Sequence, residues 1–346
     1  MMLQKTYIRF FILLSVLLVV LVCVNISLGS ADIPTLEVFE SIVGSSSKSS
    51  WQYIITNYRI PKAITAIIAG GGLAISGLLM QTLFRNPLAG PFVLGLSSGA
   101  SLGVAILILG AGAISGIFGT FLLGPWSLVI ASALGSFLVL LAVLAVTLKV
   151  RDTMAILIIG LMFGSLTGAL VAVLSYFSDA EQLQQYIFWS FGSLGNQTWQ
   201  GISILSLCFF VGLLLSIYSA KSLNALLLGE NYAKSMGLKI KKNMLLLILA
   251  TSILAGGITA FVGPIAFIGL AVPHLTRQFI KTSNHFVLIP AVAISGAILM
   301  LVCDTIAQLP GTVYTLPINA ITSLIGAPVV IWLLVRKRKL IFYGLI

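Results

Sequence analysis

Few residues of this chain could do chemistry, and their spacing argues against most reactions. Gly95-Leu-Ser97-Ser98-Gly99 has the spacing of a hydrolase nucleophile elbow. That motif works on a sharp strand-to-helix turn, whereas here it opens an apolar helix-forming run, so it assigns no nucleophile. His274 and His285 are the only histidines, too few for a zinc site without acidic neighbours. Gly44-Ser-Ser-Ser-Lys48 lacks the second glycine of a phosphate loop. Cys23, Cys208 and Cys303 lie in separate apolar runs, with neither disulfide nor metal-ligand spacing. No acid, base and nucleophile converge, so no catalytic residue, resident metal or cofactor is expected, and a membrane enzyme is set aside.

The remaining polar residues stand within or between long apolar runs, and those runs must position them. The 346 residues are 59% hydrophobic and only 8% charged, with a mean hydropathy of +1.14. A soluble domain does not have that composition. The net charge of +11 does not point to nucleic acid, because the cations form no cluster with aromatic residues on a soluble module. Runs of about 18 or more apolar residues predict an all-α polytopic membrane protein, a single domain over 1–346, with ten spans. These are Ile8–Leu28, Ala63–Phe84, the short Phe92–Leu109, Leu128–Leu148, Met154–Tyr176, Ile202–Tyr218, Met244–Phe261, Ile265–Ile280, Phe286–Ile306 and Pro317–Val335. Lys5 and Arg9 precede the first run as in a signal peptide, but its length and the weak cleavage site at Ser30-Ala31-Asp32 favour a retained span.

The cations fix the expected orientation. With both termini inside, sixteen of the nineteen fall on inner ends, leaving Lys48, Arg59 and Lys62 outside. Residues 30–58 then form an external loop, and Asp179–Trp199 a short amphipathic element at the interface.

The second span shows how such a run is built. Gly70, Gly71, Gly72 and Gly77 would weaken a soluble helix, but in lipid small residues let helices approach closely. Gln81 is its one strongly polar member, and Asn86-Pro87 must end it, because proline lacks a backbone donor. Gly160, Gly164 and Gly168, at four-residue spacing, read as a second packing face. The longest inner loop, 219–243, contains Leu226-Leu227-Leu228-Gly229 and then a stretch from Glu230 to Met236 fit for two helical turns. Gly237 supplies its left-handed cap. Apolar residues projected there need a partner protein to cover them.

Four segments carry a resemblance that spans nearly the whole chain: Arg59–Gly95, LLLGENYAKSMGL at Leu226–Leu238, GPIAFIGLAVPHLTR at Gly263–Arg277 and PINAITSLIGAPVVIWLL at Pro317–Leu334. In that order and at those intervals, the chain resembles the iron-siderophore, haem and cobalamin permeases of bacterial ABC importers. The resemblance implies a type II ABC importer permease fold in the cytoplasmic (inner) membrane, paired with a second permease copy as a homodimer. It further implies two separate ABC ATPase subunits that bind the ATP, and a periplasmic or lipoprotein substrate-binding protein that delivers a metal chelate. By the same resemblance, Leu228, Gly229, Glu230, Ala233, Met236 and Gly237 form the ATPase-coupling element. Arg59 matches a position that pairs with a carboxylate of the binding protein, Lys62 follows one turn later, and the family's second such cation falls at Gln308, which is uncharged. Asn86, Pro87 and Leu88, with Thr153 and Met154, match the cytoplasmic gate, and Gln81 is grouped with the pathway.

The rival class is an ion-coupled secondary transporter, which also needs many spans and no ATPase motif. Ion coupling calls for ionisable groups within spans, and the only acid there is Asp304, near the outer end of the ninth.

Overall fold

The computed structural model describes residues 2–92, 95–110, 125–147, 153–195, 197–309, 311–312 and 314–335. Every regular element among them is helical. The long ones are α1 (Met2–Ser27), α4 (Ile60–Leu83), α5 (Leu96–Leu109), α6 (Pro125–Thr147), α7 (Thr153–Tyr176), α9 (Trp199–Tyr218), α15 (His285–Ala307) and α16 (Ile318–Val335). Between them lie α2 (Thr35–Val43), α3 (Ser49–Ile54), α8 (Ala180–Phe191), α10 (Ala220–Leu227), α11 (Glu230–Ser235) and α14 (Ile268–Phe279). A further crossing, Ile240–Val262, is a composite of α12 (Ile240–Thr251), a π-helical turn at Ser252–Gly256 and α13 (Gly257–Val262).

Six of the described helices are long and apolar enough to cross a membrane, and three shorter apolar ones match the third, fourth and tenth expected spans. The eighth differs. Its helix, α14, has only 12 residues, so at 1.5 Å per residue it extends roughly 18 Å, well short of a ~30 Å hydrocarbon core. Gly263 and Phe267, both at positive φ, break the chain before it. Irregular backbone at that depth survives only where protein covers it, and α14 is packed on α4 and α15.

Helix α4 is the axis of the bundle. It is buried along almost its whole length, whereas α1 and α7 bury less than a fifth of theirs. A Cβ on Gly70 would strike the carbonyl of Gly296 in α15, and one on Gly77 the carbonyl of Gly269 in α14. These glycines therefore let α14 and α15 approach α4 backbone to backbone, as Gly99, Gly103 and Gly135 do between α5 and α6. The external segment carries structure of its own at the start of this helix. The segment through Tyr58 is not all loop, because α3 and a π-helical turn at Ile55–Arg59 extend α4 into one 35-residue rod. Ile55, fully buried, anchors that extension to the core.

Candidate functional site

The functional residues predicted from sequence collect at two opposite ends of α4. At the α2–α3 end stand Arg59, Lys62 and Gln308. Arg59 is only 8% exposed, and its guanidinium donates to the carbonyls of Ile26, Ser27 and Ala31. It thereby caps the carbonyl end of α1 and binds that helix to the rod. Within this chain the donors of Arg59 are turned inward onto backbone oxygens.

The other two converge on Asp304. The Lys62 ammonium lies 3.1 Å from its carboxylate, with side-chain exposures of 19% and 3%. Gln308 and Asn25 each donate to the same carboxylate at 2.9 Å, and Asn25 also reaches the Thr305 hydroxyl at 3.0 Å. One buried acid thus ties α1, α4 and α15 together, and three donors from three helices offset its desolvation. Neither Asn25 nor this use of Gln308 could be found from the sequence: Asn25 and Asp304 are 279 residues apart.

At the opposite end, α4 stops on a residue that pays for its conformation. Arg85 has φ +47°, its N–H donates to the Thr82 carbonyl at 3.2 Å, and the Asn86 N–H to that of Gln81 at 3.0 Å. This pair of bonds is a Schellman cap with arginine where glycine usually sits. Asn86 then accepts from the Leu88 N–H at 2.9 Å, which folds Asn86-Pro87-Leu88 into a tight turn. Thr153 and Met154, the expected other half of the gate, open α7, and their side chains lie outside what the structure describes.

Gln81 does not line an open path. It is fully buried, accepting from Arg277 at 2.8 Å and donating to the Leu270 carbonyl at 3.1 Å. It clamps α14 to α4, because a primary amide in a core must satisfy both of its polar ends.

Beside this end lie α10 and α11. Helix α10 turns Leu223, Ala225 and Leu226 inward. Gly229, at φ +116°, starts α11, and Gly237, at φ +83°, ends it. The Leu238 N–H donates to the Ala233 carbonyl at 3.0 Å and the Gly237 N–H to Lys234 at 2.9 Å, the Schellman cap expected at this glycine. Ala233 is fully buried, while Leu228, Tyr232 and Met236 are 52%, 54% and 63% exposed. These three exposed apolar side chains stand around the Gly229 break, Leu228 at the end of α10, Tyr232 in α11 and Met236 at its C-cap.

A cavity of about 220 Å³ opens between α5, α7 and α8, with Ser97, Ser98, Ser101, Thr167 and Tyr186 among its lining residues. Ser101 and Tyr186 are hydrogen-bonded at 2.6 Å. Gly164 and Gly168 face it, and within this chain a Cβ on Gly168 would meet open space. No group of three or more metal-ligating side chains occurs among the described residues.

A family model described as the FecCD transport family matches residues 17–336. The hemin transport system permease protein HmuU of Yersinia pestis is 36% identical over 334 residues, which cover 95% of this chain and 96% of that protein. The vitamin B12 import system permease protein BtuC of Klebsiella pneumoniae is 34% identical over 330 residues, covering 94% and 93%. Among solved structures, an inward-facing metal-chelate type ABC transporter superposes with a TM-score of 0.79 at 29% identity, covering 95% of this chain and 99% of that one.

Proposed function

The chain belongs to the FecCD transport family and is the permease subunit of an ABC importer; we propose that it works as a homodimer that passes a metal chelate, such as haem or cobalamin, between its two copies. Its relatives' cargoes motivate that class, and 36% against 34% identity does not choose between them. The observation that carries the reading is the exposed set Leu228, Tyr232 and Met236. Lipid cannot cover exposed apolar residues on and beside a short capped helix flanked by Lys221, Lys234, Lys239, Lys241 and Lys242. Such a set suits the groove of an ATPase subunit, and two such subunits supply the ATP site that this chain lacks.

The same lysines favour a topology in which the α10–α11 end and both termini are cytoplasmic, in the inner membrane. The binding protein then docks on the α2–α3 end. Lys62, partly exposed though paired with Asp304, is the docking cation there, with Gln308 beside it, while Arg59 holds α1 in place beneath them. Asn86, Pro87 and Leu88, with Thr153 and Met154, form the inner gate. The ion-coupled alternative loses its main support, because Asp304, the acid within the spans, is already neutralised by Lys62.

Purified permease is reconstituted in liposomes with its ATPase and binding protein, and uptake of hemin and of cyanocobalamin is followed. Uptake of at least one that requires ATP and the ATPase is the expected result. Uptake that persists without any ATPase subunit, driven by a proton or sodium gradient, would falsify the proposal.

A further inference from the structure

We propose that a buried hydrogen-bonded joint, Asn224–His285–Thr82, transmits movement of the coupling loop to the gate end of α4. The inference rests on reading residues 219–243 as that loop. Asn224 lies on α10, His285 opens α15, and Thr82 is in the last turn of α4. His285 is fully buried and Thr82 is 1% exposed. The Asn224 carbonyl oxygen accepts from the His285 backbone N–H at 2.9 Å and lies 2.7 Å from its ring Nδ1. The Asn224 amide nitrogen donates to Asn284 at 3.0 Å, and Asn284 in turn accepts from the Phe286 N–H as the cap of α15. At the far side of the ring, Nε2 stands 2.9 Å from the Thr82 hydroxyl.

Counting protons fixes the arrangement. Flipping the Asn224 amide would set its NH2 against a backbone N–H and strand the bond to Asn284, so its oxygen must face the histidine. An amide oxygen only accepts, so the ring of a neutral His285 carries its proton on Nδ1. Nε2 is then a lone pair facing the Thr82 hydroxyl at 2.9 Å, whose single proton is shared between Nε2 and the Leu78 carbonyl, also at 2.9 Å. Each atom of the ring that can hydrogen-bond is therefore committed, one to the coupling loop and the other to α4.

A joint of this kind resists shear. If α10 slid along α4, either the two Asn224 bonds to His285 or the Thr82 bond on the far side of the ring would have to break. Leu223 and Leu226 pack α10 into the core beside it, so α10 and the inner end of α4 move as one body. One residue before Thr82, Gln81 is held by Arg277. Three residues after it comes the capped Arg85, and then the Asn86-Pro87-Leu88 turn. The force is thus delivered within one helical turn of the gate.

The test uses the full complex of permease and ATPase, in a background with Cys23, Cys208 and Cys303 replaced. Spin labels are placed at Lys221→Cys on α10 or at Arg85→Cys at the end of α4. Distances between the two permease copies are measured without nucleotide and with ATP trapped. In the otherwise unaltered protein both labels shift, on the order of 2 Å or more. In Asn224→Leu and in the near-isosteric Thr82→Val, the Lys221 label still shifts and the Arg85 label does not. Asn224→Asp, which keeps both acceptor bonds, restores the Arg85 shift. An Arg85 label that moves equally in Asn224→Leu and Thr82→Val overturns the joint alone. Labels that stay still in the unaltered complex overturn the coupling-loop reading and the joint with it.

Discussion

Arg85 is where one side chain works against its backbone. A left-handed conformation costs a residue with a Cβ roughly 1–2 kcal/mol, so Arg85→Gly is expected to raise stability by about 0.5–1 kcal/mol, read as a higher unfolding temperature in detergent. A lower temperature would show that the side chain earns its place through contacts in the assembled importer. Lys62 and Asp304 are coupled more strongly, since one is nearly sealed by the other. Lys62→Met leaves a buried carboxylate with two amide donors only and should destabilise by about 3 kcal/mol. Adding Asp304→Asn removes the charge while keeping the acceptor for Asn25 and Gln308, and most of the loss is recovered if the pairing is right. At Glu37, three bonds from Ser46 and Ser47 hold the carboxylate. The Ser47 hydroxyl above all pulls its pKa below the usual value. Because the folded-state pKa is depressed, this contribution to the α2–α3 turn is present above the ordinary carboxylate pKa and fades as the pH falls through the lowered one. Amide exchange near Ser47 should therefore quicken on acidification, and Glu37→Gln should abolish that pH dependence.

Among the elements, α11 was the most legible. A glycine after Glu230–Met236 predicts a left-handed cap, and Gly237 makes one, because few other residues tolerate that conformation. No Cβ clash accompanies it, so Gly237→Ala isolates the backbone cost. Exchange of the Leu238 amide should accelerate roughly fivefold or more, the effect of about 1 kcal/mol, and ATP-driven uptake should fall with it. Gly237→Pro and Glu230→Arg should uncouple hydrolysis from uptake, the second by setting a cation at a helix N-terminus. Helix α14 was the least legible. Gly263–Arg277 is apolar enough to pass for a crossing, and hydropathy cannot register that Gly263 and Phe267 turn the backbone away from helix. Likewise Gly160, Gly164 and Gly168 have the spacing of a packing face, yet within this chain no neighbour fills it at Gly168, where a cavity begins.

For the whole molecule, exposure divides the helices by task. Helix α4 is buried along most of its length, while α7 leaves Leu161, Met162, Leu166 and Val173 more than half exposed, beside a cavity lined by serines, Thr167 and Tyr186 as well as apolar residues. Lipid or a second permease copy can cover that apolar face, but the cavity needs water or cargo. Ser98→Cys, in a background without native cysteines, should react with a water-soluble maleimide, and Leu166→Cys should not. Equal labelling of both would place the pathway elsewhere. Hydropathy, charge placement and four ordered motifs identified by themselves a polytopic α-helical permease and its family. Those properties are legible because lipid demands long apolar runs and because caps and turns are written in adjacent residues. Only the tertiary structure decided that Arg59 caps α1, that Lys62, Gln308 and Asn25 share one acid, that Gln81 is a clamp, and that His285 joins α10 to α4. Each of those depends on which polar groups meet across helices tens to hundreds of residues apart, and a buried group's partner is set by packing, which no local pattern records.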